Sequence, residues 1–440
     1  MTLARFPFDR RGTLTKAIAF ALAAILAAAG PLACASTSVA PVGEPGAPFA
    51  LARDEARLWK EAQEEEKQLR AKVPIYDDPL LDAYLNGLAQ KLVPEPVKSQ
   101  GVLKIRVQVI RDPALNAFTY PTGAVYVHTG LLARVENESQ LAIVLGHEIT
   151  HATNRHALEF QRSARNKMIG FSIASLVGSI VVAEAAGRKA ERGNWAGAYV
   201  LNQVGNILVG LGLNLAFLAA VNGFGRDLER EADEVGMQRA YDAGYDPREG
   251  PRLFALLKDD HGDDSKMEVF FFGSHPRLDE RIESTQALVA ARFGGAGGGR
   301  VTDTREFQMR TRTLVRDDAG QNLEAGRLGT AEAEIKKVLA LTPNDPVAHL
   351  LYGQLDEKRA AEAKDPAEAR GLLDGALLKY EEAARLDDRY ADPHKAIGLL
   401  RYKAGEKDKA RDAFRRYLEL RPDAPDARQI KDYILEIEAR

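Results

Sequence analysis

A chain of 440 residues has room for two or three domains, and with 45% hydrophobic residues it has the means to bury a core, which rules out global disorder. A formal net charge of −3 excludes the strongly basic balance of a nucleic-acid binder. There is one cysteine, Cys34, so no intramolecular disulfide can form.

The first 34 residues read as an export signal. Arg5, Arg10, Arg11 and Lys16 precede an apolar run, Ala17 to Ala29, and small residues then lead to Pro31-Leu32-Ala33-Cys34. This ending is similar to a bacterial lipoprotein signal, in which the cysteine is lipidated and becomes the mature N-terminus. A leucine is more usual where Pro31 stands. A plain secretory signal or an uncleaved anchor is the alternative, and Arg10-Arg11 hints at a twin-arginine route. Lipidation at Cys34 would place the protein in the bacterial cell envelope: periplasmic, anchored to a membrane by lipid, and at the outer membrane. Residues 35–50 are small, Pro-rich and almost uncharged, the composition of a flexible tether.

Charged helical patterns follow at 53–72 and 78–93. Leu103 to Ile110 alternates apolar and polar residues with the period of a half-buried strand, and Ala124 to His128 predicts a second strand after a Pro121-Thr122-Gly123 turn. Helical periodicity resumes near Gly130 and continues to about Glu159. Two apolar runs, Met168 to Ala183 and Val204 to Val221, are either buried helices or a membrane hairpin. The first is short for a span and the second carries Asn206 and Asn214. The first folded region is thus 51–293, and Gly294 to Gly299 opens a Gly-rich linker over 294–311.

From 312 to 440 the chain repeats itself. Gly326, Ala331, Ile335, Val338, Leu341 and Pro343 occupy the same relative positions as Gly405, Ala410, Phe414, Tyr417, Leu420 and Pro422. Gly353, Ala376, Tyr380, Ala383 and Leu386 fit between them if 360–371 is an insertion. The spacing resembles the 34-residue tetratricopeptide repeat, with 425–440 as a capping helix. An ordinary helical bundle is the alternative.

The chemistry is carried by His147-Glu148-Ile149-Thr150-His151. On a helix, two histidines four apart project from one face and can hold one zinc ion. Zinc would lower the pKa of a bound water towards neutrality, and Glu148 can accept its proton during attack on a peptide carbonyl. A third protein ligand is required. Downstream, Asp227 to Asp233 is acidic and helical; Glu229 and Asp233 share a face while Glu231 points elsewhere. Glu229 can complete the site, and Asp233 can fix a ligand imidazole in one tautomer.

These segments resemble the gluzincin metallopeptidase superfamily of HtpX, Oma1 and the CAAX prenyl endopeptidases, in particular its periplasmic BepA-like branch with C-terminal tetratricopeptide repeats. The resemblance spans about 50–290 and 312–440. It rests on Asn116-Ala117-Phe118 with the strand that follows, on the histidine motif, on Glu229 with Asp233, and on His275-Pro276 with Glu280-Arg281. It implies an α+β fold, a mainly helical zincin-like domain with a small β-sheet followed by an all-α solenoid. It also implies one Zn2+ per chain, with Glu229 rather than Glu231 as the third ligand. His275 would face the zinc, either stabilising an oxyanion or acting as a removable fourth ligand. Arg281 would neutralise developing charge, or pair with Asp279 or Asp233. Strand 124–128, through Val125 and Val127, would take the substrate as an added strand, with Asn116 touching its backbone. His128 and His156 are expected to be surface or packing residues.

Two functions compete. One is a zinc endopeptidase for exported or outer-membrane proteins, whose repeats recruit protein partners. The other is a chaperone-like or scaffold lipoprotein with a latent or structural zinc site. An intact Glu148 favours the first, since a structural zinc needs no general base.

Overall fold

The computed structural model describes residues 37–46, 49–166, 225–259, 278–294 and 299–439. Cys34, the apolar runs within 168–221 and His275 lie outside them. The chain divides into two compact units, Met1–Val39 with Leu158–Val209 and Ala40–Ala157 with Gly210–Arg440. The sheet, the histidine helix and the repeats all belong to the second unit. No helix among the described residues is long and apolar enough to cross a membrane.

The peptidase region begins with α1 (Arg53–Lys72), α2 (Pro79–Leu92) and the short α3 (Glu95–Gln100). Three strands follow, β1 (Arg106–Ile110), β2 (Ala117–Thr119) and β3 (Ala124–His128). Then come α4 (Thr129–Arg134), α5 (Glu138–Thr153), α6 (Arg226–Asp242), α7 (Glu249–Asp259) and α8 (Leu278–Leu288). The sheet order is β1-β3-β2, with β3 parallel to β1 and antiparallel to β2. Val125 and Val127 point into the main core with Val107, Val109 and the apolar faces of α2 and α5. Ala124 and Tyr126 face the other way, into a second cluster with Phe118, Tyr120 and Ala62 of α1. Helices on both faces therefore explain why β3 is buried along its whole length.

Several expectations are redrawn by tertiary contacts. The strand expected over 103–110 is confined to β1, because its partner β3 begins at Ala124 opposite Arg106, just after the turn closed by the Gly123 N–H on the Tyr120 carbonyl, and side chains of α2 occupy its outer edge. Asn86 pairs with both backbone groups of Val107, and Gln90 donates to the Ile105 carbonyl. The helix expected from Gly130 to Glu159 is broken twice. It stops at Arg134 and restarts at Asn137, whose side chain accepts from the Gln140 N–H and caps α5. It stops again at Asn154, beyond which Arg155 adopts φ 61. Strand β2 and helix α3 carry too few residues to show a period.

The expected tether, 35–50, is seated on the domain from Val42 onward. The Val42 N–H donates to the Thr153 carbonyl at 2.8 Å, its side chain is buried, and Phe49 stacks on Trp59. Within the expected linker, 294–311, the described residues from 300 onward are likewise not free. Val301 pairs beside Tyr245, and its carbonyl accepts from Asp246 N–H while its own N–H donates to Gly244. Ser139 N–H donates to the Thr302 carbonyl. Thr304 then caps α9 (Arg305–Glu324), seven residues before the repeats were expected to begin.

The helices after α9 are α10 (Leu328–Leu341), α11 (Pro346–Glu362), α12 (Pro366–Leu386), α13 (Ala391–Lys403), α14 (Lys407–Leu420) and α15 (Ala427–Glu438). Short loops join α9 to α14 into three consecutive packed pairs, with α15 as the final helix. Asp-Pro starts two of them: Asp345 and Asp365 accept from N–H groups of the first turn, and the proline occupies the position whose N–H would have no partner. The expected insertion is absorbed by length, since α11 and α12 have 17 and 21 residues against 13 and 14 in the next pair. Helix α9 shares the peptidase core through Phe307, Leu314 and Val315. Tyr76 donates to Asp317, and Lys337 donates to the Ala133 and Val135 carbonyls at the end of α4.

Candidate metal centre

Helices α5 and α6 cross where two glycines meet. A Cβ added to Gly146 would lie 2.6 Å from the Gly236 carbonyl oxygen, and one on Gly236 would lie 2.6 Å from the His147 nitrogen. Real Cβ contacts are never that short, so the backbones touch with no side chain between them. That contact brings the first turns of α6 over His147. Gly146, the residue before the first ligand, is the floor of this crossing.

Three ligating groups converge there. His147 Nε2 lies 3.0 Å from His151 Nε2, 3.5 Å separates His147 Nε2 from Glu229 Oε2, and 3.7 Å separates His151 Nε2 from Glu229 Oε1. All three residues are buried. A tetrahedral ion with ligand bonds near 2.0–2.1 Å keeps its ligand atoms about 3.3 Å apart, so the triangle fits one face of a zinc site. Two neutral imidazoles and one carboxylate are also the donor set zinc accepts, with a fourth position left over. Glu148, adjoining His147 on α5, is 2% exposed.

Behind His147 stands a charged pair. His147 Nδ1 lies 2.8 Å from Asp233 Oδ1, the bond expected to hold a ligand imidazole with Nε2 turned to the metal. Asp233 is gripped by Arg281, Nε to Oδ2 at 2.8 Å and Nη2 to Oδ1 at 2.5 Å, and the guanidinium lies 4.1 Å over the Phe254 ring. Of the partners expected for Arg281, the geometry selects Asp233; Asp279 instead accepts from Lys258. Burial disfavours charge on His147, but hydrogen bonds to Asp233 and Glu229 outweigh it and lift the pKa to about 9. Burial would raise Asp233, yet Arg281 and His147 hold its carboxyl below the usual range.

The substrate strand expected at 124–128 is corrected. β3 is the central strand, hydrogen-bonded on both sides, and Val125 and Val127 are core residues with no exposure. A strand with no open edge cannot accept another. Asn116 is also buried, and its carbonyl accepts from the His128 N–H. Among the described residues the open edge belongs to β2, since residues and side chains near 75, 86 and 90 cover β1.

His128 and His156 are buried rather than surface residues. His128 stacks edge-on against Phe118, as packing would have it. His156 does more: its Nδ1 lies 2.9 Å from Nδ1 of His151, and its Nε2 lies 3.7 Å from Glu231. Its sequence position, five after a ligand, gave no reason to place it there.

Residues 79–289 match the model of peptidase family M48. Over 226 residues the chain is 31% identical to the putative beta-barrel assembly-enhancing protease of Vibrio cholerae serotype O1, covering 50% of this chain and 41% of that protein. It is 33% identical over 225 residues to the beta-barrel assembly-enhancing protease of Escherichia coli K12, covering 49% and 40%. With the mitochondrial metalloendopeptidase OMA1 of Schizosaccharomyces pombe the identity is 30% over 203 residues, covering 46% and 51%. The chain thus spans about two-fifths to one-half of the length of these relatives. Among solved structures, a thermophilic tetratricopeptide-repeat protein of Thermus thermophilus aligns at 19% identity and TM-score 0.26, covering 44% of this chain and 82% of that one.

Proposed function

We propose that the protein is a zinc-dependent endopeptidase, with residues 79–289, which match the model of peptidase family M48, as its catalytic domain. The observation that carries this reading is the convergence of His147, His151 and Glu229 on one buried point beside Glu148. When bound, zinc would polarise the scissile carbonyl and acidify the attacking water. Glu148 takes the proton of that water and returns it to the leaving amine. Asp233 orients His147, and Arg281 holds Asp233, so Arg281 acts as a positioning residue through the carboxylate.

The substrates are exported or outer-membrane proteins, a reading supported by the names of the bacterial relatives. The packed helix pairs of 305–439 take protein partners, and lipid at Cys34 anchors the chain to the outer membrane from the periplasm. Glu148→Gln decides between peptidase and scaffold. The variant is expected to keep about one zinc per chain, read by elemental analysis, and to lose casein cleavage by at least about 100-fold. Cleavage by the variant at the wild-type rate would leave the scaffold reading standing.

A further inference from the structure

We infer that His156 is a positioning residue of the metal centre, accepting the Nδ1 proton of His151 while Glu231 orients His156 from behind. The inference rests on the zinc reading above and adds residues to it. His151 turns Nε2 towards His147 and Glu229, 3.0 and 3.7 Å away. A neutral imidazole that ligates through Nε2 carries its proton on Nδ1, and that N–H needs an acceptor. The atom facing it is Nδ1 of His156 at 2.9 Å, with the two rings at 79° to one another. His156 can accept there only with its own proton on Nε2, which faces Glu231 Oε2 at 3.7 Å. The other oxygen of Glu231 accepts from the Asn154 side chain at 2.6 Å.

The backbone is shaped for this contact. On an uninterrupted helix, residues five apart differ by about 140° around the axis, so His156 would point away from His151. The break at Asn154 and Arg155 cancels that offset. Arg155, at φ 61, adopts the left-handed conformation that a residue with a Cβ enters only at a cost. Its side chain holds it there, donating to Glu55 and to the carbonyls of Ala40 and Ala50. A strained residue fixed by an ion pair at the end of the zinc helix has a clear result: it delivers a second histidine to the back of the first. The two ligand rings are then supported differently, His147 by a carboxylate paired with arginine and His151 by a neutral imidazole.

The test uses the chain with both peptidase region and repeats, and zinc alone as the probe. Zinc affinity is measured by chelator competition for wild type, His156→Phe and His156→Gln. The phenylalanine fills the space without accepting a proton and is expected to weaken binding by about 10- to 100-fold. The glutamine oxygen can accept, and most of the affinity should return. Glu231→Gln should cost less than about tenfold, because that carboxylate is 45% exposed. Equal affinity in wild type and His156→Phe overturns the assignment, and so does a His156→Gln as weak as the phenylalanine, which would mark a packing role. Independently of any variant folding, nitrogen-15 histidine spectra of the zinc-loaded wild type should show His151 protonated on Nδ1 and His156 on Nε2; the reverse tautomer at His156 overturns the inference. A wild type that binds no zinc overturns the metal site itself, and this inference with it.

Discussion

The helix crossing at the metal centre and the helix pairs of the repeats both depend on glycine, but in opposite ways. At Gly146 and Gly236, backbone meets backbone. In the repeats, Gly353 makes room for the Tyr380 ring and Gly398 for the Phe414 ring, where an added Cβ would lie 2.3 and 2.5 Å from ring carbons. An aromatic ring can tilt, and a pair of helices can spread slightly around it. A backbone contact has nothing to tilt, so any added atom must move an entire helix. The difference matters because α6 carries Glu229 and Asp233, whereas the repeat helices carry no ligand.

The largest expected effect is therefore Gly146→Ala. It should destabilise the protein by about 3 kcal/mol and, by displacing α6, lower zinc affinity by at least about 100-fold, read by thermal unfolding and chelator competition. Unchanged zinc affinity would erase the distinction drawn above. Gly398→Ala should cost about 1–2 kcal/mol and loosen α13 and α14 in hydrogen exchange while leaving zinc affinity at the wild-type value. If it also released zinc, the repeats and the metal centre would be one mechanical unit.

Lys337 tests the seam between the two regions. Burial is the main cause that pushes its ammonium down to about 8, despite nearby carboxylates. The unfolded chain holds that proton up to about 10.5, so between those values unfolding takes up a proton and stability rises with pH. The rise should be on the order of 1 kcal/mol in a pH series of urea unfolding, and absent in Lys337→Met. A variant with the wild-type slope would detach Lys337 from the seam.

The smallest effect belongs to Glu332, whose carboxyl is pushed down to about 2 by hydrogen bonds from Arg359, across from α11, and from Lys336, one turn along α10. Its contribution is present above about 4.5 and lost as pH falls towards 2. Glu332→Gln should flatten the acid limb of unfolding slightly, followed by circular dichroism between pH 5 and about 2. A wild-type limb would show the pair to be solvent-screened.

Much of the site was open to reading because it is local. Two histidines at helical spacing, the glutamate between them and two acidic residues on one turn of α6 are each set by positions three or four apart. The repeat phase and the Asp-Pro helix starts are local too. What stayed hidden were pairings between distant segments: α2 side chains closing the edge of β1, residues 42–50 lying on the end of α5, and 299–304 pinned between α5 and the turn after α6. Low-complexity composition suggested freedom there, yet backbone hydrogen bonds to the domain remove it.

By itself the sequence determined which groups could bind a metal and which helices would carry them, since ligand chemistry and helical period are properties of neighbouring residues. Only the tertiary structure decided that β3 lies in the middle of its sheet, which leaves it no edge for an added strand. It also joined α9 to the peptidase core, and it turned His156 from a packing residue into a partner of His151. Each of these depends on which surface another part of the chain covers, and no period along the sequence records that.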